Sequence, residues 1–202
     1  GTYNHVTWGA ALVDFDQDGD RDLFIACGHL QDTVDLWDDT TSYEASDLLL
    51  ENTGNGKFQD ISALAGDGLA LKRSSRGAAF DDLDNDGDID VVILNSRRGP
   101  TVLRNDSPPG NHWLKVRLRG TRSNRDGVGA RITVIAGDLT LVDEVHSGRG
   151  YQSHYGMVPH FGLGHRTRVD RVEVRWPGGR NDVLRNIMPD RLLEVTEGTS
   201  RP

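Results

Sequence analysis

Cys27 is the only cysteine in this 202-residue chain, so no internal disulfide staples the fold. It closes a strand-like run, Leu23-Phe24-Ile25-Ala26, where a free thiol is expected to be buried and inert. No apolar run approaches 18 residues, which excludes a membrane-spanning helix. Helix-length amphipathic patterns are missing too. Aromatic residues make up only 6% of the chain and the hydrophobic set 36%. A core of one large or two small domains must therefore come from many short segments. The opening Gly1-Thr2-Tyr3-Asn4-His5 has no signal-peptide character. Cys and His show no zinc spacing, and no Gly-x-Ser-x-Gly elbow occurs.

Glycine and aspartate are what the chain has in quantity. There are 24 glycines, which together with short strand-like runs favour an all-β chain with many turns. The charge is split between the halves. Residues 1–110 hold 21 acidic and 8 basic side chains, and residues 111–202 hold 10 and 15. Such a change of sign marks a domain boundary, placed at Ser107-Pro108-Pro109-Gly110, where two prolines stiffen the link. The arginines of the second half alternate within strands rather than forming a run, so they read as a solvated sheet face and not as a nucleic-acid site.

Two nonapeptides organise the first half: DFDQDGDRD (14–22) and DLDNDGDID (82–90). Each carries carboxylates at positions 1, 3, 5, 7 and 9 and glycine at position 6. Like charges this close repel unless a cation neutralises them. An oxygen-only donor set turned by a glycine matches calcium, a hard ion that takes six to eight oxygens. Side-chain ligation is assigned to Asp14, Asp16, Asp18 and Asp22, with the carbonyl of Asp20. The second copy repeats this with Asp82, Asp84, Asp86 and Asp90 and the carbonyl of Asp88. An EF-hand is excluded because position 12 is Ile25 in one copy and Ile93 in the other, where that loop needs glutamate. The runs on either side of each loop are strand-like, so each ion lies between two strands of a sheet.

The copies extend beyond the loops. WGAALVDFDQDGDRDLFIACG (8–28) aligns with RGAAFDDLDNDGDIDVVILNS (76–96) at an offset of 68. A strand ending in asparagine follows each, Leu48 to Asn52 and Thr101 to Asn105. The first copy then has Thr53-Gly54-Asn55-Gly56, a hairpin signal, and a short strand at 57–61. Repeated groups of short strands imply propeller blades or a solenoid. These repeats resemble FG-GAP (VCBS-type) repeats, and residues 30–47 read as a polar insertion within the first. The resemblance implies blades of a partial β-propeller. Two blades cannot close a propeller and leave open sheet edges, so upstream blades or other subunits of an assembly are expected as neighbours.

In the second half, 112–119, 131–135 and 169–176 alternate like half-exposed strands. Between and after them lie SNRDGVGAR (123–131), SGRGYQS (147–153), HFGLG (160–164) and WPGG (176–179). These motifs resemble the ASPIC/UnbV domain, a small β domain of sandwich type found behind FG-GAP repeats in secreted proteins. Gly178 departs from the serine expected there. His146, His154, His160 and His165 cluster within twenty residues, but their spacing marks no catalytic trio. His160 reads as structural, and Gly148-Arg149-Gly150 is a weak anion-nest signal. No catalytic residue is assigned. The reading favoured is a non-catalytic, calcium-stiffened module, extracellular or else periplasmic or at the cell surface, that binds a protein or glycan. The alternative is an accessory or substrate-binding portion of a secreted enzyme.

Overall fold

A computed structural model describes residues 5–199. The first repeat is an antiparallel meander of β1 (Thr7–Val13), β2 (Asp22–Cys27), β4 (Leu48–Asn52) and β5 (Phe58–Asp60). The second is a three-stranded sheet of β7 (Ser75–Asp81), β8 (Asp90–Asn95) and β9 (Thr101–Leu103). Alternating small and large apolar residues put one face of each sheet inward. Phe24, Phe80, Ile89, Val91 and Ile93 share one buried cluster with Phe15 and Ala78, so the two sheets have a common core. Their inner strands come unusually close. A Cβ at Gly9 of β1 would lie 2.8 Å from the Ala78 nitrogen and the Arg76 carbonyl of β7.

The 30–47 insertion is more ordered than its composition implies. It holds a 3-10 turn, Val34–Leu36, and β3 (Ala45–Ser46), which pairs with β6 (Lys72–Arg73) beyond the four-residue helix α1 (Asp67–Ala70). Buried Val34 anchors it. Arg97 pairs with Asp32, Arg98 with Glu44, and the Tyr43 hydroxyl donates to Ser96 Oγ at 3.0 Å. The insertion therefore folds over the second repeat.

The second half is a sandwich. One sheet orders β13 (His160–Gly164), β10 (His112–Arg119) and β16 (Arg191–Thr196), with β10 and β16 parallel. The other orders β12 (Leu139–Glu144), β11 (Arg131–Ala136), β14 (Val169–Arg175) and β15 (Asn181–Ile187), all antiparallel. Leu114, Val116, Ile132, Val134, Leu163, Val172 and Trp176 fill the space between them in a cluster separate from that of the repeats. Each such side chain taken from water contributes about 1.5–3 kcal/mol. Buried Trp176 satisfies its indole N–H on Asp182 Oδ2 at 2.7 Å.

One alternation does not hold. The pattern of β10 sends Lys115 toward water with Arg117 and Arg119, yet Lys115 is buried. Its side of the sheet faces the second aspartate loop, so its ammonium ends on Asp81 and Asp82.

Candidate metal centre

The β1–β2 and β7–β8 connections are the two nonapeptides, and they fold alike bond for bond. In the first, Gly19 N–H donates to Asp14 Oδ2 at 3.0 Å and Asp20 N–H to Asp18 Oδ1 at 2.7 Å. In the second, Gly87 N–H donates to Asp82 Oδ2 at 3.2 Å and Asp88 N–H to Asp86 Oδ1 at 2.9 Å. The glycines have φ of 101° and 105°, a region that L side chains seldom enter. Gln17 and Asn85, both at position 4, adopt left-handed φ values of 61° and 64°.

This winding brings one oxygen each of Asp14, Asp16 and Asp18 within 4.8 Å of one another, and likewise Asp82, Asp84 and Asp86. Asp22 and Asp90 stand outside these triplets. Asp22 accepts N–H bonds from Phe15 at 3.1 Å and Asn52 at 2.8 Å. Asp90 accepts from Leu83 and Asn105, both at 2.9 Å. Each thus ties its loop to the segment that follows: Asn52 closes β4, whereas β9 stops at Leu103 and Asn105 lies two residues beyond the strand end expected there. Of the two aspartates assigned as carbonyl donors, Asp88 also takes an N–H of Gln17 Nε2 on Oδ1 at 2.6 Å, whereas the side chain of Asp20 is exposed.

The electrostatics of the triplets are unresolved by the protein alone. Asp14 and Asp82 are only 8% and 7% exposed, and Oδ1 of each is buried without a hydrogen-bond partner. Burial, then the charges of Asp18 and Asp16, push the Asp14 carboxyl up to about 8. Burial also raises Asp18 and lifts Asp22 to about 6. An anion that is desolvated and surrounded by like charge is costly. A hard cation that takes oxygen ligands relieves all of these penalties, so the residues fit calcium.

The faces of both loops are covered by the second half. Gly162 of β13 sits so close that a Cβ there would be 2.1 Å from Asp14 Oδ2 and 2.6 Å from Gln17 Cα. Gly164 N–H donates to the Gln17 carbonyl at 2.8 Å. Gln17 Nε2 in turn reaches the Gly87 carbonyl at 3.1 Å, joining one loop to the other. His160 Nε2 lies 2.9 Å from the same carbonyl. Burial holds His160 down to about 4, so the ring is neutral and Nε2–H donates. Trp113 stacks on His160 and packs on Gly87.

Comparison with known proteins adds identity to this geometry. Residues 14–93 match the FG-GAP-like repeat family, and residues 120–202 match the ASPIC and UnbV family. The chain joins FG-GAP-like repeats to an ASPIC and UnbV region. It is 32% identical over 139 residues to cartilage acidic protein 1 of Mus musculus, covering 65% of this chain and 21% of that protein. The Homo sapiens protein of that name is 32% identical over 139 residues, covering 65% and 20%. The Xenopus tropicalis one is 31% identical over 111 residues, covering 52% and 16%. The chain thus spans about a fifth of the length of its mouse and human relatives.

The histidines of the ASPIC and UnbV region take separate partners. His154 Nδ1 accepts the Gly148 N–H at 2.7 Å, His165 Nδ1 lies 3.0 Å from the Gly110 carbonyl, and His146 Nε2 lies 3.7 Å from Asp143. Only His160 reaches the FG-GAP loops, by the backbone contact its position in a glycine-rich turn suggests. Lys115, Gln17 and Gly162 carried no signal of their roles in the sequence beyond the density of glycine at 160–164. Cys27 is buried, with its thiol pushed up to about 12 by burial and the Asp47 charge, in keeping with an inert residue.

Proposed function

We propose that this chain is a non-catalytic, extracellular calcium-binding module that presents its β surfaces to a protein or glycan partner. The observation that carries the proposal is the pair of buried, unpartnered oxygens, Asp14 Oδ1 and Asp82 Oδ1, at equivalent places in two carboxylate triplets. Asp14, Asp16 and Asp18 hold one ion, and Asp82, Asp84 and Asp86 the other. Asp22 and Asp90 shape each loop and offer further oxygens, and the carbonyls of Asp20 and Asp88 complete the sets. Calcium supplies charge neutralisation and stiffness, with no reaction step.

Location follows from occupancy. Sites of modest affinity fill where calcium is millimolar, outside the cell. The relatives are named for cartilage, a tissue that is largely extracellular matrix. Among the described residues no helix is long and apolar enough to cross a membrane. The outer edge of β9 pairs with no strand among the described residues, and Val102 on it is 60% exposed. Further repeats or another subunit would pair there. The repeats and the ASPIC and UnbV region act as two units linked through 106–110.

Terbium, a luminescent stand-in for calcium, tests the reading. Trp113 lies against the second loop, so tryptophan excitation should sensitise emission from the bound ion. Calcium should quench that emission by displacement, whereas magnesium, which demands a tighter octahedron, should not. Absence of sensitised emission, or displacement by magnesium as readily as by calcium, would count against it.

A further inference from the structure

The loops are nearly superimposable in their internal bonds but not in what faces them. Opposite Asp14 Oδ2 stands the backbone of Gly162, which brings no charge, and Asp14 forms no ion pair among the described residues. Opposite Asp82 Oδ2 stands Lys115 Nζ at 3.4 Å, which also reaches Asp81 Oδ1 at 3.0 Å. The lysine side chain is only 10% exposed and the Asp82 side chain 1%. Their interaction is therefore poorly screened by water. Lys115 lies on β10 beside His160 of β13, so its position is fixed by the sheet that packs over both loops.

We propose that Lys115 makes the two cation sites unequal, acting as a tethered cation at the second loop. This rests on the calcium reading given above. A lysine ammonium is a compact point charge. Held against Asp82, it supplies part of the neutralisation that an ion would otherwise supply, and it repels an ion arriving at Asp82 Oδ1. The first loop has no such substitute, and Asp14 depends on an external cation. As calcium rises, the first loop fills first and the second only at higher concentration. The second step reports calcium at a level the first has already passed, while the sheet carrying Lys115 stays docked at either level.

Calcium itself, titrated into the chelator-stripped full chain by calorimetry, is the probe. The expected result is two steps separated by about tenfold or more in affinity, each tenfold being about 1.4 kcal/mol. Asp14→Asn should remove the tight step and Asp82→Asn the weak one. Lys115→Met should tighten the weak step by about tenfold, leaving the tight step in place, and Lys115→Arg should behave as the parent chain. Two equal steps in the parent, or assignment of the tight step to the second loop, would overturn the inequality. Steps unmoved by Lys115→Met would overturn the role of the lysine. Should Lys115→Met fail to fold by circular dichroism, the Asp14→Asn and Asp82→Asn pair still decides which loop is tighter. No calcium uptake by any variant would instead remove the underlying calcium reading.

Discussion

Gly162→Ala perturbs the contact that joins the FG-GAP repeats to the ASPIC and UnbV region with a single methyl group. Gly162 does not need the left-handed backbone that only glycine tolerates, since its φ is not positive. The cost of the change is therefore steric. The new Cβ would lie 2.1 Å from Asp14 Oδ2 and 2.6 and 2.7 Å from the Cα and carbonyl carbon of Gln17. Two of these three neighbours are backbone and cannot swing aside. Overpacking of this kind costs about 1–3 kcal/mol, and the backbone contacts place this case near ~3 kcal/mol. For a chain of this size 1 kcal/mol moves the melting midpoint by roughly 2–4 °C, so a drop of about 6–12 °C is expected. Because the methyl also displaces Asp14, calcium uptake at the first loop should weaken with it. Gly99→Ala is the control, as nothing lies within 4 Å of its added Cβ, and it should stay within about 0.5 kcal/mol of the parent. Scanning calorimetry with and without calcium measures both effects. A Gly162→Ala protein that melts with the parent and takes up calcium unchanged would refute the docked arrangement.

Calcium should raise the melting midpoint of the parent chain. At ~1 mM free ion and a dissociation constant near ~10 µM, an occupied site adds about 2.7 kcal/mol, and an unchanged melt in chelator would contradict this. Stability of the metal-free chain should fall as pH rises from about 6.5 to 8. In that window folded Asp14, raised to about 8, still holds a proton that the unfolded chain has released. The loss is on the order of 1–2 kcal/mol, and melts in chelator that are flat or rise over this window would contradict the Asp14 environment. Glu197 should behave oppositely and independently of calcium. Its Oε2 accepts N–H bonds from Thr121, Arg122 and Ser123 at 2.7–2.9 Å, which hold the carboxyl down to about 2. Its stabilisation is present above the ordinary glutamate range and lost as pH falls toward 2. Glu197→Gln should lower the neutral-pH melting midpoint while leaving calcium uptake intact.

The repeats were legible because their signals are local. Alternating aspartates with a central glycine encode a loop within nine residues, and the apolar runs on both sides encode its strands. Asn52 was visible as a strand end, whereas β9 stops two residues short of Asn105; the bonds of both asparagines to Asp22 and Asp90 needed coordinates. The sandwich was legible in its alternation at 131–135 and 172–175, where burial follows period two, although Val169 breaks that period at the start of β14. The parallel pairing of β10 with β16, Leu114 opposite Arg191, was not, because no local signal links strands so distant in sequence. Lys115 shows the limit most clearly. A polar residue in a strand pattern announces only that it avoids apolar surroundings, and a carboxylate loop satisfies that as well as water does. The covering of both loops by His160–Gly164 likewise depends on how two separately patterned halves pack.

The central claim, that each aspartate triplet holds one calcium ion, is tested most directly by counting. Native mass spectrometry of the stripped full chain, exchanged into calcium and then into zinc, gives the number of each ion bound. The account predicts two calcium ions per chain, none in the Asp14→Asn, Asp82→Asn double variant, and no preference for zinc. Two ions retained in the double variant, or zinc taken up in place of calcium, would contradict it.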